Sequence, residues 1–357
     1  MKENTTTLKD TFIKALQSYK KRNFKTAQTL CYKILSIDPD HFDSLLLLAN
    51  TFALNSNYSG AKELLSKANE IKPNNLGVLN NLGTACKELG DLKEAVNFYE
   101  KIIRINPNHT NAQYNLGVAF YNLKELKKAK NFFKKTVEIQ PNYALAFVNL
   151  ANVYAELKEY ENAISNYQKA IKINYNLASA HNNLGLVFRN VNDFKNAVSC
   201  YEKAIAIKRD HVNAHHNLAL VLKDLGRFES AIQSHENGIK YEPENLTHYF
   251  YLSNLKNDIL NSDLKNKIEK IIAKNNSTKI NIAYGNFLLS KYEQKAKNYE
   301  KELSCLTKAH NSYFESQKNK FELLVKYTFR DSLQIAEDVK VKKLIKKNQK
   351  QIKPIFI

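Results

Sequence analysis

The chain has 357 residues, 43% hydrophobic and 25% charged, with a formal charge of +19, nine Gly, six Pro and four Cys. No apolar run approaches the roughly 18 residues of a membrane span, and the opening MKENTTTLKDTFIKALQSYKKR has no apolar core of signal-peptide length. The four cysteines share no metal-ligand spacing, and Cys31 and Cys86 fall on apolar helical positions, so a soluble, cytoplasmic chain without a disulfide or zinc framework is expected.

Residues 1–7 read as a tail, and the sequence then repeats. Pro39, Pro73, Pro107 and Pro141 stand 34 residues apart, and Pro243 lies three periods further on. Ala27, Ala61, Ala95, Ala129, Ala163, Ala197 and Ala231 keep the same beat. A 34-residue recurrence predicts helix–turn–helix units, here 8–41, 42–75, 76–109, 110–143, 144–177, 178–211 and 212–245. In the third unit, Leu79, Leu82, Gly83 and Cys86 form the inner face of a first helix. Gly90 breaks that helix, and Asp91 is placed to cap the next one. Ala95, Tyr99, Ile102 and Ile103 face inward from the second helix. Pro107 stops it, and Asn108 is expected to cap the following unit.

Two further positions keep the period. A small residue recurs in the first helix as Ala15, Ala49, Gly83, Gly117, Ala151, Gly185 and Ala219. Aromatic residues recur as Phe52, Phe120, Tyr154 and Phe188 in the first helix, and as Tyr99, Phe133, Tyr167 and Tyr201 in the second. This order of small residue, aromatic, alanine, aromatic, alanine and proline resembles the tetratricopeptide repeat across residues 8–245. The resemblance implies an all-α fold, a right-handed superhelical solenoid of antiparallel helix pairs. Tyr175 and Arg209 depart from it in place of proline, as do His235 and Gly238 at normally packed positions of unit seven.

Asn81, Asn115, Asn149, Asn183 and Asn217 are also periodic, each immediately before the packed Leu of its first helix. An amide offers donor and acceptor together and matches a peptide bond whatever its sequence. The resemblance places neighbouring first-helix positions on the inner surface, and the row is similar to that of the O-linked N-acetylglucosamine transferases, whose repeat domain holds peptides along such amides. A purely structural role, tying adjacent helices, is the competing reading. Lys87, Arg189 and Lys223 fall on the same side and could attract carboxylates, with Glu88, Glu156 and Asp224 beside them. His211, His215 and His216 lie close in sequence, but no carboxylate or Cys partner stands at ligand spacing, so they read as structural. The expected function is a non-catalytic interaction module that binds an extended protein or peptide segment, with no metal and no cofactor.

Residues 246–335 read as an irregular helical extension with a worn repeat near 283–316. LTHYFYLSNLKNDI resembles the first helix of an eighth unit, and Asp263 is placed as a cap. Tyr299, Leu306 and Ala309 fall near packed repeat positions, and FELLVKYTFRDSLQI adds another helix. The stretch from Lys340 has seven Lys and no acid. It lacks interleaved aromatics and arginines, so nucleic acid is not the expected partner. Residues 336–357 form a basic tail ending in a possible strand, Ile352 to Ile357. The segment 246–357 resembles the passage that precedes the catalytic domain in bacterial tetratricopeptide-repeat sulfotransferases. That resemblance implies a substrate-binding arm, and 3′-phosphoadenylyl sulfate as cofactor only where a catalytic domain follows Ile357. None of that family's donor-binding residues is in this chain.

Overall fold

The computed structural model describes residues 2–336, with side chains from 7 to 318 apart from that of residue 257. The basic tail and its strand, expected from residue 336 onward, lie outside the described residues after Ala336. Packing divides the chain into two compact units, residues 1–209 and residues from 210 onward. Among the described residues every regular element is helical, and no helix is long and apolar enough to cross a membrane.

The first unit consists of six helix pairs. They are α1 (Lys2–Lys20) with α2 (Phe24–Leu35), α3 (Phe42–Leu54) with α4 (Tyr58–Ile71), and α5 (Leu76–Glu88) with α6 (Leu92–Ile105). Then come α7 (Thr110–Asn122) with α8 (Leu126–Ile139), α9 (Ala144–Glu156) with α10 (Tyr160–Ile173), and α11 (Ala178–Asn190) with α12 (Phe194–Ile207). The first helix begins at Lys2, inside the segment expected to be a tail. Each helix packs against the next, and successive first helices touch, as α5 does α7 and α9 does α11.

Pair geometry follows from the periodic small residue. A Cβ built on Gly83 would lie 2.5 Å from the ring of Tyr99, and one on Gly117 would lie 2.6 Å from Phe133. The ring therefore occupies the place a side chain would take. Tyr99, Phe133, Tyr167 and Tyr201 are all 2% exposed or less, more buried than the first-helix aromatics, of which Phe52 and Phe188 are only half-buried. Among the described residues of this unit the apolar clusters follow one another along the chain. Leu64 packs against both the cluster around Leu48 and the cluster around Leu45, and Phe98 links the latter to the cluster that continues to Cys200. Neighbour-to-neighbour burial of this kind is the solenoid pattern.

The ring hydroxyls need partners. Tyr99 meets Thr84 at 3.3 Å, and Tyr167 donates to Asn152. Phe133 has no hydroxyl, and Val118 stands at the equivalent place. In the sixth unit that place is Leu186, and the Tyr201 hydroxyl is buried without a hydrogen-bond partner. Burial pushes the Tyr99 phenol up to about 12 and moves Tyr167 and Tyr201 upward as well, so all three stay protonated.

Helix ends explain the turns. Asn23, Asn57 and Asn75 accept backbone N–H bonds at the starts of α2, α4 and α5. The cap of α7 is His109, whose Nδ1 accepts from Ala112 N at 3.2 Å, and not Asn108. Pro107 and Asn108 belong to the turn, and helical geometry begins one residue later. Asp91 occupies the N-cap of α6 without a side-chain cap bond, and its carboxylate lies 3.6 Å from Lys62. Between the helices of each pair the chain passes through a left-handed residue at one fixed position: Arg22, Ser56, Gly90, Lys124, Lys158 and Asn192, with φ between 58° and 87°.

In the second unit, α13 (Val212–Asp224) and α14 (Phe228–Tyr241) complete the seventh repeat. They are followed by α15 (Leu246–Ser253), a short 3-10 turn at Asn257–Ile259, α16 (Ser262–Ile272), α17 (Lys279–Lys295) and α18 (Tyr299–Ala336). The expected eighth first helix stops early, at Ser253. Asn261, not Asp263, caps α16 by accepting from Leu264 N at 2.9 Å. Asp263 instead places its negative charge in the first turn, where the helix dipole favours it. The worn repeat is the α17–α18 pair. Ala309 is fully buried, whereas Tyr299 is 69% exposed at the start of α18 and does not pack. FELLVKYTFRDSLQI is no separate helix, because α18 runs through it without a break; no Gly or Pro interrupts the preceding residues.

Two outcomes test this account. A left-handed conformation costs a non-glycine residue about 1–2 kcal/mol, so Lys158→Gly should raise stability by about 0.5–1 kcal/mol in urea unfolding; a lowered midpoint would contradict the turn geometry. Removing a paired hydroxyl should cost about 0.5–1.5 kcal/mol in Tyr99→Phe and Tyr167→Phe. Tyr201→Phe should be neutral or stabilising, and a loss as large as that of Tyr167→Phe would refute the missing partner.

Candidate functional site

The periodic asparagines project from the first helices beside the packed leucines and are half-buried. In the first unit each donates its amide N–H to a side chain one repeat back. Asn81 bonds Asn50 at 3.2 Å, Asn115 bonds Asn80 at 3.1 Å, Asn149 bonds the Tyr114 hydroxyl at 2.9 Å, and Asn183 bonds Asn152 at 3.1 Å. The row is therefore a chain of ties between successive first helices. An amide has two N–H donors and a two-lone-pair acceptor, so one tie leaves capacity on each half-exposed group. Asn182 donates to Asn183 at 3.1 Å, and Asn152 approaches Asn149 at 3.5 Å, which merges the row into a network at α9 and α11.

The partners Asn50, Asn80, Asn152, Asn182 and Tyr114 were missed by sequence reasoning. They occupy two repeat positions whose identity varies from unit to unit, so they leave no periodic signal. The polar residues beside the row are largely engaged. Lys87 pairs with Glu88 at 2.9 Å, and Glu156 accepts from the Tyr121 hydroxyl while lying 3.5 Å from Lys124. Arg189 is half-buried in the last turn of α11. Asn217 and Lys223 belong to the second unit, where Asn217 is half-buried on α13 and Lys223 is exposed in its last turn.

The histidines have several roles. His211 caps α13 by accepting from Ala214 N at 3.2 Å, and the buried His215 stacks on Tyr241 at 5.7 Å. His181 reaches the Tyr175 carbonyl at 3.0 Å, from the same repeat position at which Gln113 donates to the Pro107 carbonyl at 2.7 Å. The three histidines adjacent in sequence are not brought together. His216 instead meets His235 and His248, from α13, α14 and α15. Burial and the neighbouring imidazoles press His235 and His248 down to about 3, so both rings are neutral near pH 7. Cys31, Cys86 and Cys200 are buried, and burial lifts their thiols to about 11, the state of packing residues and not of nucleophiles.

A family model described as the tetratricopeptide repeat protein 21 C-terminal ARM domain matches residues 73–246, and one for anaphase-promoting complex, cyclosome, subunit 3 matches residues 20–102. No curated protein matches the chain. Among solved structures, a tetratricopeptide repeat protein from Parabacteroides merdae superposes with a TM-score of 0.57 and 15% identity, over 70% of this chain and 99% of that one. PilF from Pseudomonas aeruginosa gives 0.51 and 21%, over 58% of this chain and 94% of its own. The anaphase-promoting complex assembly Cut9–Hcn1 gives 0.52 and 19%, over 59% and 42%. At these identities the likeness is one of fold. With the 34-residue period and the helix pairs it demands, the conclusion is that this chain has the all-α solenoid fold of tetratricopeptide repeats.

Proposed function

We propose that the chain is a protein-interaction scaffold that holds an extended peptide segment along its first helices. The observation that carries this reading is the line of half-buried amides at Asn81, Asn115, Asn149 and Asn183, each fixed by one bond to the preceding repeat. A side chain held in place loses less entropy when a ligand binds than one that must be ordered. The ties therefore present the remaining donor and acceptor groups in a row at small cost. Backbone recognition of this kind tolerates many sequences. Lys87 and Arg189, with the acidic residues beside them, would select among segments by charge.

The narrower reading, in which the scaffold is the arm of a sulfotransferase, rests on the wording of residues 246–357. Among the described residues the regular elements of that segment are all helices, so the proposal stops at the scaffold.

The test is a random peptide library selected against the full chain, followed by binding titrations. Three lost hydrogen bonds of about 0.5–1.5 kcal/mol each correspond to tenfold or more in affinity. Asn115→Ala, Asn149→Ala and Asn183→Ala combined should weaken selected peptides by at least that factor. Lys62→Ala, on α4 beside Glu94, should not. The triple variant also loses three ties, so its unfolding midpoint should drop, and binding must be read where its helicity equals that of the parent. Equal binding by parent and triple variant at matched helicity would end the reading.

A further inference from the structure

The seventh repeat departs from the others at places that meet in space. His235 stands where earlier units have Tyr99, Phe133, Tyr167 and Tyr201, and Gly238 stands where the sixth has Ala204. His248 stands where Ala112, Ala146, Ala180 and Ala214 open earlier first helices. These changes compensate one another: the ring of His248 fills the space that a Cβ on Gly238 would take. His216 completes the group, its ring centroid 5.7 Å from His235 and 5.6 Å from His248, while those two are 5.4 Å apart.

The chemistry of the group is unlike packing. His235 and His248 are 1% and 0% exposed. One ring nitrogen from each of the three lies within 4.8 Å of the other two. His235 Nδ1 stands 3.2 Å from His248 Nδ1, and His248 Nε2 is buried with no hydrogen-bond partner. Zinc–nitrogen bonds of about 2.0–2.1 Å put tetrahedral ligand nitrogens about 3.3–3.4 Å apart. The His235–His248 pair, at 3.2 Å, comes close to that spacing, and the half-buried His216 stands beside it.

We propose that His216, His235 and His248 bind one divalent transition-metal ion of the zinc class, with a fourth position left to water or a carboxylate. Each ring would coordinate through one nitrogen and keep its proton on the other, so the site would carry the charge of the ion. Three imidazoles with an open position form a recognised zinc ligand set. The ion would join α13, α14 and α15 where the regular repeat ends.

The experiment uses the full chain, freed of metal by a chelator and dialysed, then titrated with zinc chloride in competition with a chromophoric chelator. One equivalent should bind, and the melting temperature should rise with zinc because only the folded chain offers the site. Cobalt(II) in place of zinc should give four-coordinate ligand-field bands without thiolate charge transfer. His216→Ala and His235→Tyr should each weaken binding by about 100-fold or more and abolish the zinc-dependent rise in melting temperature. His235→Tyr restores the ring of the other repeats, and His216→Ala changes a half-buried position, so circular dichroism should show both variants folded. A thiolate band, unchanged affinity in either folded variant, or no stoichiometric binding at tenfold zinc excess would overturn the site.

Discussion

The contact on which the structure depends is a ring of the second helix lying against a residue of the first that has almost no side chain. Gly83 against Tyr99 and Gly117 against Phe133 set the distance between the two helices of a pair. Ala151 keeps the place with a single methyl. Once that distance is fixed, every other periodic residue has a fixed height and direction. The ring hydroxyl must then find a partner at one defined spot. Thr84 and Asn152 supply it, Val118 faces a ring that needs none, and Leu186 leaves one unmet.

The same register aligns the asparagines. Each is close enough to the preceding first helix to bond it, yet exposed enough to offer its remaining capacity outward. Structural and binding roles are thus not alternatives. The tie supplies the order that a backbone-reading surface requires, and a substitution that removes one function removes part of the other. Side chains beside the row are drawn into the same economy, as Lys87 with Glu88 and Tyr121 with Glu156 show.

Much of this was legible in the sequence because period and burial coincide. The alanine and proline beats marked the helix pairs, and the small position marked the close approach. Elsewhere the residue type hid the geometry. The left-handed position recurs in every pair, but it is glycine at Gly90 and lysine at Lys124 and Lys158, so composition did not reveal it. The cap of α7 is a histidine acting through Nδ1, an unusual capping group, and the neighbouring asparagine drew the assignment. The long α18 was divided in two because its apolar spacing is irregular, whereas helix continuity needs only the absence of a breaker. The histidine group could not be read by proximity along the chain, since its members sit on three helices. Its trace in the sequence was the departure of His235, Gly238 and His248 from the repeat.

The backward direction of the asparagine bonds has a further consequence for how the first unit comes apart. Each bond joins a helix pair only to its predecessor, and the apolar clusters overlap in the same stepwise manner. Cohesion is then a property of adjacent pairs, with no keystone whose loss releases the whole. Among the described residues the α1–α2 pair packs chiefly on α3 and should peel away while inner pairs stay closed. Deuterium uptake along residues 2–209 would accordingly fall as a gradient from the amino end inward, in place of a single threshold.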